Sequence, residues 1–201
     1  MTTATETRYL TCAETAQLLR PALVAAFPGV KFSVRSSTYS MGASICVSWT
    51  DGPRSWEVER IAHQFNGSGF DGMIDLKYSN THFLTSDGKV GFAHTHGTEG
   101  SLGSCPEAFG DPPGPQVELV HLGADSVSCN RHASDFDGNV LSAATWIRAH
   151  CHTEGEPPND RFGEQWVNDL ARSMAWSWPD PKHSDEPMEE TFDRAYYHRR
   201  S

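Results

Sequence analysis

Basic charge is scarce in this chain, and lysine scarcest: 16 Lys and Arg stand against 26 Asp and Glu, with only four Lys. The formal net charge of −10 argues against non-specific DNA binding by the whole surface, which needs a broad basic footprint to displace counterions. Long hydrophobic runs are missing too. No window approaches the ~20 apolar residues that span a bilayer, and Met1 to Arg8 is too polar for a secretory leader. The familiar site motifs are also lacking. There is no Cys-x-x-Cys, no His-Glu-x-x-His and no Gly-x-x-x-x-Gly-Lys. The five Cys are odd in number and without framework spacing, which points to free thiols in a reducing cytoplasm.

What remains suits a folded protein. At 201 residues, with 37% hydrophobic residues and six Trp, the chain can bury a core, although its mean hydropathy of −0.52 is on the polar side. Thr11 and Glu14 fit a capping box. Leu19, Leu23 and Phe27 then recur on one helical face. Pro21 falls inside that run and predicts a kink or break near Arg20, and Pro28-Gly29 ends the helix. Phe32 and Val34 alternate with polar residues, as do Ile45, Val47 and Trp49, which predicts two strands with one buried face each. Pro53 suits the first position of a helix whose stripe is Val58, Ile61 and Phe65.

Further strands are expected where Ile74, Leu76 and Tyr78 alternate, where Val90 to His96 do, and on either side of Gly123-Ala124-Asp125. Phe70-Asp71-Gly72 reads as a turn. Residues 97–116 hold five Gly and four Pro, the composition of a long loop that is functional or mobile. Ser134 is placed to cap a helix from about Phe136. Helices are also predicted around Phe162, Trp166 and Leu170 and around Met188, Phe192 and Tyr196. The expected fold is α+β: a small, mainly antiparallel sheet packed against helices, beginning helix-strand-strand-helix. An α+β domain is expected over 8–152, with a helical extension over 153–201.

Two groups of residues invite a functional reading. His94 and His96 share one face of a strand, and Cys129-Asn130-Arg131-His132 pairs a thiol with an imidazole. Tetrahedral zinc takes such ligands, yet a surface pair of His and a structural Cys explain them better. Cys129 with His94 or His132 and Asp125 also makes a formal nucleophile set. The other group is Arg35, Ser36, Ser37, Thr38, Tyr39 and Ser40, a guanidinium among hydroxyls that suits phosphate, carboxylate or a nucleic-acid backbone. A solvated hairpin edge is its plain alternative.

Ordered blocks of the sequence resemble a known family. They are Tyr9-Leu10-Thr11-Cys12-Ala13-Glu14-Thr15-Ala16, Ala25-Ala26-Phe27-Pro28-Gly29-Val30-Lys31-Phe32-Ser33-Val34-Arg35-Ser36-Ser37, Tyr39-Ser40, Gly42-Ala43-Ser44-Ile45, Val47-Ser48-Trp49-Thr50-Asp51-Gly52-Pro53 and Phe70-Asp71-Gly72-Met73. A later block runs from Gly123-Ala124-Asp125 to Cys129-Asn130-Arg131. Together they are similar to the large polyvalent protein-associated domain, family 29, over residues 8–80 and 119–134. Ser126 and Ser128 replace expected apolar residues, and Pro21 is a second departure. The resemblance implies an accessory, non-enzymatic protein of a phage, plasmid or conjugative element, acting in the cytoplasm of a bacterial host, in establishment there or against host defence. It carries over no catalytic residue. The expected partner is a host or element-encoded protein, or nucleic acid at the Arg35–Ser40 surface, and not a membrane. No cofactor is expected. The alternative is a zinc-dependent hydrolase or nuclease using His94 and His96 with Cys129 and His132.

Overall fold

The computed structural model describes residues 7–98, 106–108, 117–151, 163–177 and 188–197. The chain divides into two compact units, residues 1–48 with 56–130 and residues 49–55 with 131–201. The α+β class holds, with the strands shared between two sheets.

The first unit opens with strand β1 (Arg8–Tyr9) and helix α1 (Cys12–Ala26). The capping box is formed in full: the Thr11 hydroxyl accepts from the Glu14 N–H, and the Glu14 carboxylate accepts from the Thr11 N–H at 2.7 Å. Leu19 and Leu23 are fully buried, each contributing roughly 2 kcal/mol of apolar burial. The predicted break at Pro21 does not occur, and α1 runs through it. Pro21 and Gln17, whose carbonyl loses its partner, are both on the exposed side. The lost bond therefore falls where water can replace it.

Strands β2 (Ser33–Tyr39) and β3 (Gly42–Thr50) form the predicted hairpin, in register from Ser33↔Ser48 to Tyr39↔Gly42. Val34, Ile45 and Val47 point to the buried face. Helix α2 (Ser55–Ala62) starts two residues after Pro53, because the Pro53 carbonyl accepts from the Trp49 indole at 2.8 Å instead of opening the helix. A 3-10 turn (His63–Phe65) follows it.

Residues 68–71, partly read as a turn, form strand β4 (Ser68–Asp71) against β5 (Leu76–Thr85). Ile74 is therefore an exposed turn residue and not a strand position. Next come β6 (Val90–Thr95), β7 (Glu107–Ala108), β8 (Val117–His121) and β9 (Ser126–His132). One sheet has the order β1-β8-β5-β6-β7, with β4 also on β5. Its β1–β8 pair is parallel and the other pairings are antiparallel. The other sheet is β2-β3-β9. Most of the expected 97–116 loop lies outside the described residues; within it, β7 adds a short strand to β6.

In the second unit, helix α3 (Phe136–His150) is capped by Asp135, which accepts from the Gly138 N–H at 3.0 Å. Ser134 is not the cap: it stands one residue further from the helix, and its N–H donates to the Asp51 carboxylate at 2.9 Å. A carboxylate also complements the helix dipole better than a hydroxyl does. Helices α4 (Gly163–Ser177) and α5 (Met188–Tyr197) follow. Ala143, Ile147, Val167, Leu170, Met174 and Ala195 make their shared core, and Trp146 and Phe192 pack against it. No described helix is long and apolar enough to cross a membrane.

Candidate functional site

Three of the family-like blocks, through Thr15, Ala43 and Gly123 to Val127, meet at a polar joint between the two sheets of the first unit. Gly67 donates to the Ala124 carbonyl at 2.7 Å and its own carbonyl accepts from Asn80. The Asn66 side chain accepts from the Val127 N–H at 2.8 Å, and the Gly123 N–H donates to the Thr15 hydroxyl at 3.1 Å. At the end of the Gly-Ala-Asp triplet sits Asp125. Its N–H donates to the Ala43 carbonyl at 2.8 Å, and its carboxylate accepts from the Ala43 N–H at 3.0 Å and the Ser68 hydroxyl at 3.2 Å. Lys77 lies 2.5 Å away. Burial works to raise the Asp125 pKa, but the Lys77 bond, the Ala43 N–H and Ser68 outweigh it and hold the group ionised. Asp125 thus fastens the tip of the β2–β3 hairpin to β4 and β5, and does not orient a histidine.

A profile of the large polyvalent protein associated domain 29 matches residues 10–134. The chain belongs to this family. No curated protein and no solved structure matches it. In this member of the polyvalent-associated domain 29 family, the second signature block builds the joint just described. Ser126 and Ser128 are exposed while Val127 is buried, so these two serines fall on the solvent side of β9.

The β2 side and the turn of the hairpin stay exposed. Arg35 through Met41 are all exposed, with Tyr39 at 53% and Met41 at 96%. Charge is segregated here in a way that bulk composition hid. From Thr15 to Thr50 the sequence has no Asp or Glu, and it carries Arg20, Lys31 and Arg35. An acidic protein thus presents a hairpin whose own strands hold no acid and carry Arg35 among hydroxyls, with Asp125, paired to Lys77, anchored at its tip. The basic residues number too few for a motif search to find; the signal was the missing acids.

His94 and His96 also come together, as their shared strand face required, with ring centroids 4.9 Å apart. The long-range pairing of β5 with β8 adds a third imidazole that no local spacing could reveal. His121 lies 5.9 Å from His96 and stacks on Tyr9 at 4.6 Å. His121 Nδ1 faces the Asn80 carbonyl at 2.9 Å, and His96 Nε2 faces the Thr81 hydroxyl at 3.1 Å. Burial, then the charges of His94 and His121, lower the His96 pKa. Cys129 lies on β9 in the other sheet. Burial first, then Glu59 and Cys46, push its thiol up to about 12, so it is protonated at neutral pH and a poor nucleophile. His132 ends β9 in the second unit, its carbonyl accepting from the Asp51 N–H at 2.7 Å. Among the described residues no group of three or more His, Cys, Asp or Glu is arranged to hold a metal ion.

Asp71 is a buried turn clamp, accepting from Met73 N–H at 2.9 Å and from the Thr98 hydroxyl at 2.5 Å. Its neighbour in sequence spacing, Asp75, occupies the exposed β4–β5 turn with φ of 54°.

Proposed function

We propose that this polyvalent-associated domain protein is a non-enzymatic accessory protein of a phage or other mobile element, working by contact with a macromolecular partner through the β2–β3 hairpin. The observation that carries this reading is the exposed, acid-free Arg35–Ser40 surface on a chain of net charge −10. A local field of opposite sign steers an acidic partner to that one face. Establishment of the element in its bacterial host, or counter-defence there, is the role that fits the family. The triple variant Arg35→Ala, Ser36→Ala, Ser37→Ala alters only exposed side chains, so its melting temperature should stay within about 2 °C of the parent. Affinity capture from the host should lose the partner that the parent retains. A variant that keeps every partner would remove the surface assignment.

A second reading, zinc-dependent hydrolysis or nuclease chemistry, is favoured only by the approach of His94 to His96. Elemental analysis of the purified protein decides it. We expect less than about a tenth of an equivalent of zinc, against near one for a tightly held site.

A further inference from the structure

The side chains of the hairpin explain attraction, but its backbone specifies what is attracted. β2 is the outer strand of the β2-β3-β9 sheet. The Val34 carbonyl accepts from Arg20 Nη2 at 2.9 Å, so the backbone groups of Val34 face away from β3. Backbone direction alternates along a strand, so those of Ser36 and Thr38 face outward as well. The other end of the hairpin agrees. Tyr39↔Gly42 closes a two-residue turn, the position at which a paired residue turns its N–H and C=O inward. Arg20 therefore occupies the first outward carbonyl of the edge. The outward N–H and C=O of Ser36 and Thr38 continue the row on exposed residues, and no described group pairs with them.

Edges of this kind are normally blunted by Pro, by charged residues, by a bulge, by shortness or by a covering helix or loop. Here α1 reaches the edge through Arg20 at Val34. β2 is seven residues long, contains neither Pro nor Lys, and keeps an unbroken register with β3. Arg35 is its one charge. At the tip, Met41 has φ of 69° and is 96% exposed. That left-handed position favours Gly or Asn, and a Met there carries strain without any packing return within the chain. An exposed, adaptable thioether there is open to a partner.

We propose that β2 takes an acidic, extended polypeptide segment as an added strand, paired through Ser36 and Thr38, with its carboxylates toward Arg35, Lys31 and Arg20. This rests on the reading of the hairpin as the contact surface and adds the partner's chemistry and pairing mode. Nucleic acid would answer the same charge, but its sugar-phosphate backbone cannot complete a peptide ladder. The unpaired amide row favours a polypeptide.

Fluorescence anisotropy tests this with an array of synthetic β-prone peptides in which Glu and Asp alternate with Val, Ile and Thr, and with a single-stranded oligonucleotide as the competing probe. Thr38→Pro removes an outward donor and spares the β3 ladder, a replacement that edge strands accept. It should weaken peptide binding about tenfold, with its circular dichroism and melting unchanged. Arg35→Glu should weaken binding at least as much. N-methylation of one alternate set of peptide amides should abolish binding while the other set is tolerated, and this arm needs no change to the protein. Binding indifferent to Thr38→Pro and to both methylation sets, yet lost with Arg35→Glu, overturns strand addition while keeping the hairpin as a contact surface. So does binding of the oligonucleotide alone, if Arg35→Glu abolishes it. If no probe binds, or if binding ignores Arg35→Glu, the added strand and the surface fall together.

Discussion

Gly67→Ala is expected to destabilise the first unit by about 3 kcal/mol or more, and Gly123→Ala by a similar amount. A Cβ at Gly67 would be driven into the carbonyl oxygen of Leu122 and stand 2.9 Å from that of Ala124. One at Gly123 would be driven into the Leu10 carbonyl and stand 2.7 Å from the Cys12 N–H nitrogen. These neighbours are backbone, so no rotamer change relieves the overlap; strands and helix start must move apart. The movement would also stretch the Gly67–Ala124 and Gly123–Thr15 hydrogen bonds. Against a total stability on the order of 5–15 kcal/mol, either substitution removes a large part, and the double variant should not fold. Gly72→Ala is the control, because a Cβ there meets nothing within 4 Å. Urea denaturation followed by circular dichroism reads all three. Equal midpoints for Gly67→Ala and Gly72→Ala would show that the joint does not need its close approach.

The same joint shows where sequence reasoning reaches and where it stops. The α1 cap and the β2–β3 alternation were legible because each is written within a few residues of itself. So were the stripes of α4 and α5, where Trp166 and Leu170, then Met188, Phe192 and Tyr196, recur at helical spacing. Pro21 does not break the helix because its lost hydrogen bond falls where water can replace it, and exposure at that turn is a tertiary fact. Asp125 resembled a catalytic orienting group for the same reason. Its partners Ala43, Ser68 and Lys77 are far away in sequence, and only the crossing of two sheets assembles them. Of the candidate site, His94 with His96 could be read from a period of two. His121 could not, because it arrives through the β5–β8 pairing. The exposed hairpin was legible as a donor-rich run, but its open amide row follows from strand order, which no local pattern encodes.

Lowering the pH from 7 to 4 should cost the first unit about 3 kcal/mol of stability through one side chain, His82. His82 is fully buried on β5, with its ring 4.8 Å from Phe92. Neither ring nitrogen has a hydrogen bond of normal geometry, and the Gln64 backbone only partly offsets the burial. Burial, reinforced by the neighbouring His121, lowers its pKa from 6.5 to about 4. Between those two values the unfolded chain binds a proton that the native state refuses, so stability falls as pH falls and levels off below about 4. His96, whose pKa is also lowered, acts in the same direction. The carboxylates act in a separate window. Asp125 and Glu14, with lowered pKa values, lose their contribution only as the pH drops through and below the ordinary carboxylate range near 4. Loss between pH 6.5 and 4.5 is therefore the histidines' signature. His82→Leu keeps an apolar side chain beside Phe92 and removes the titration. It should flatten most of that slope and make the variant more stable than the parent at pH 5. Chemical denaturation at half-unit pH steps measures both curves, and parallel curves for parent and variant would rule out His82 as the source.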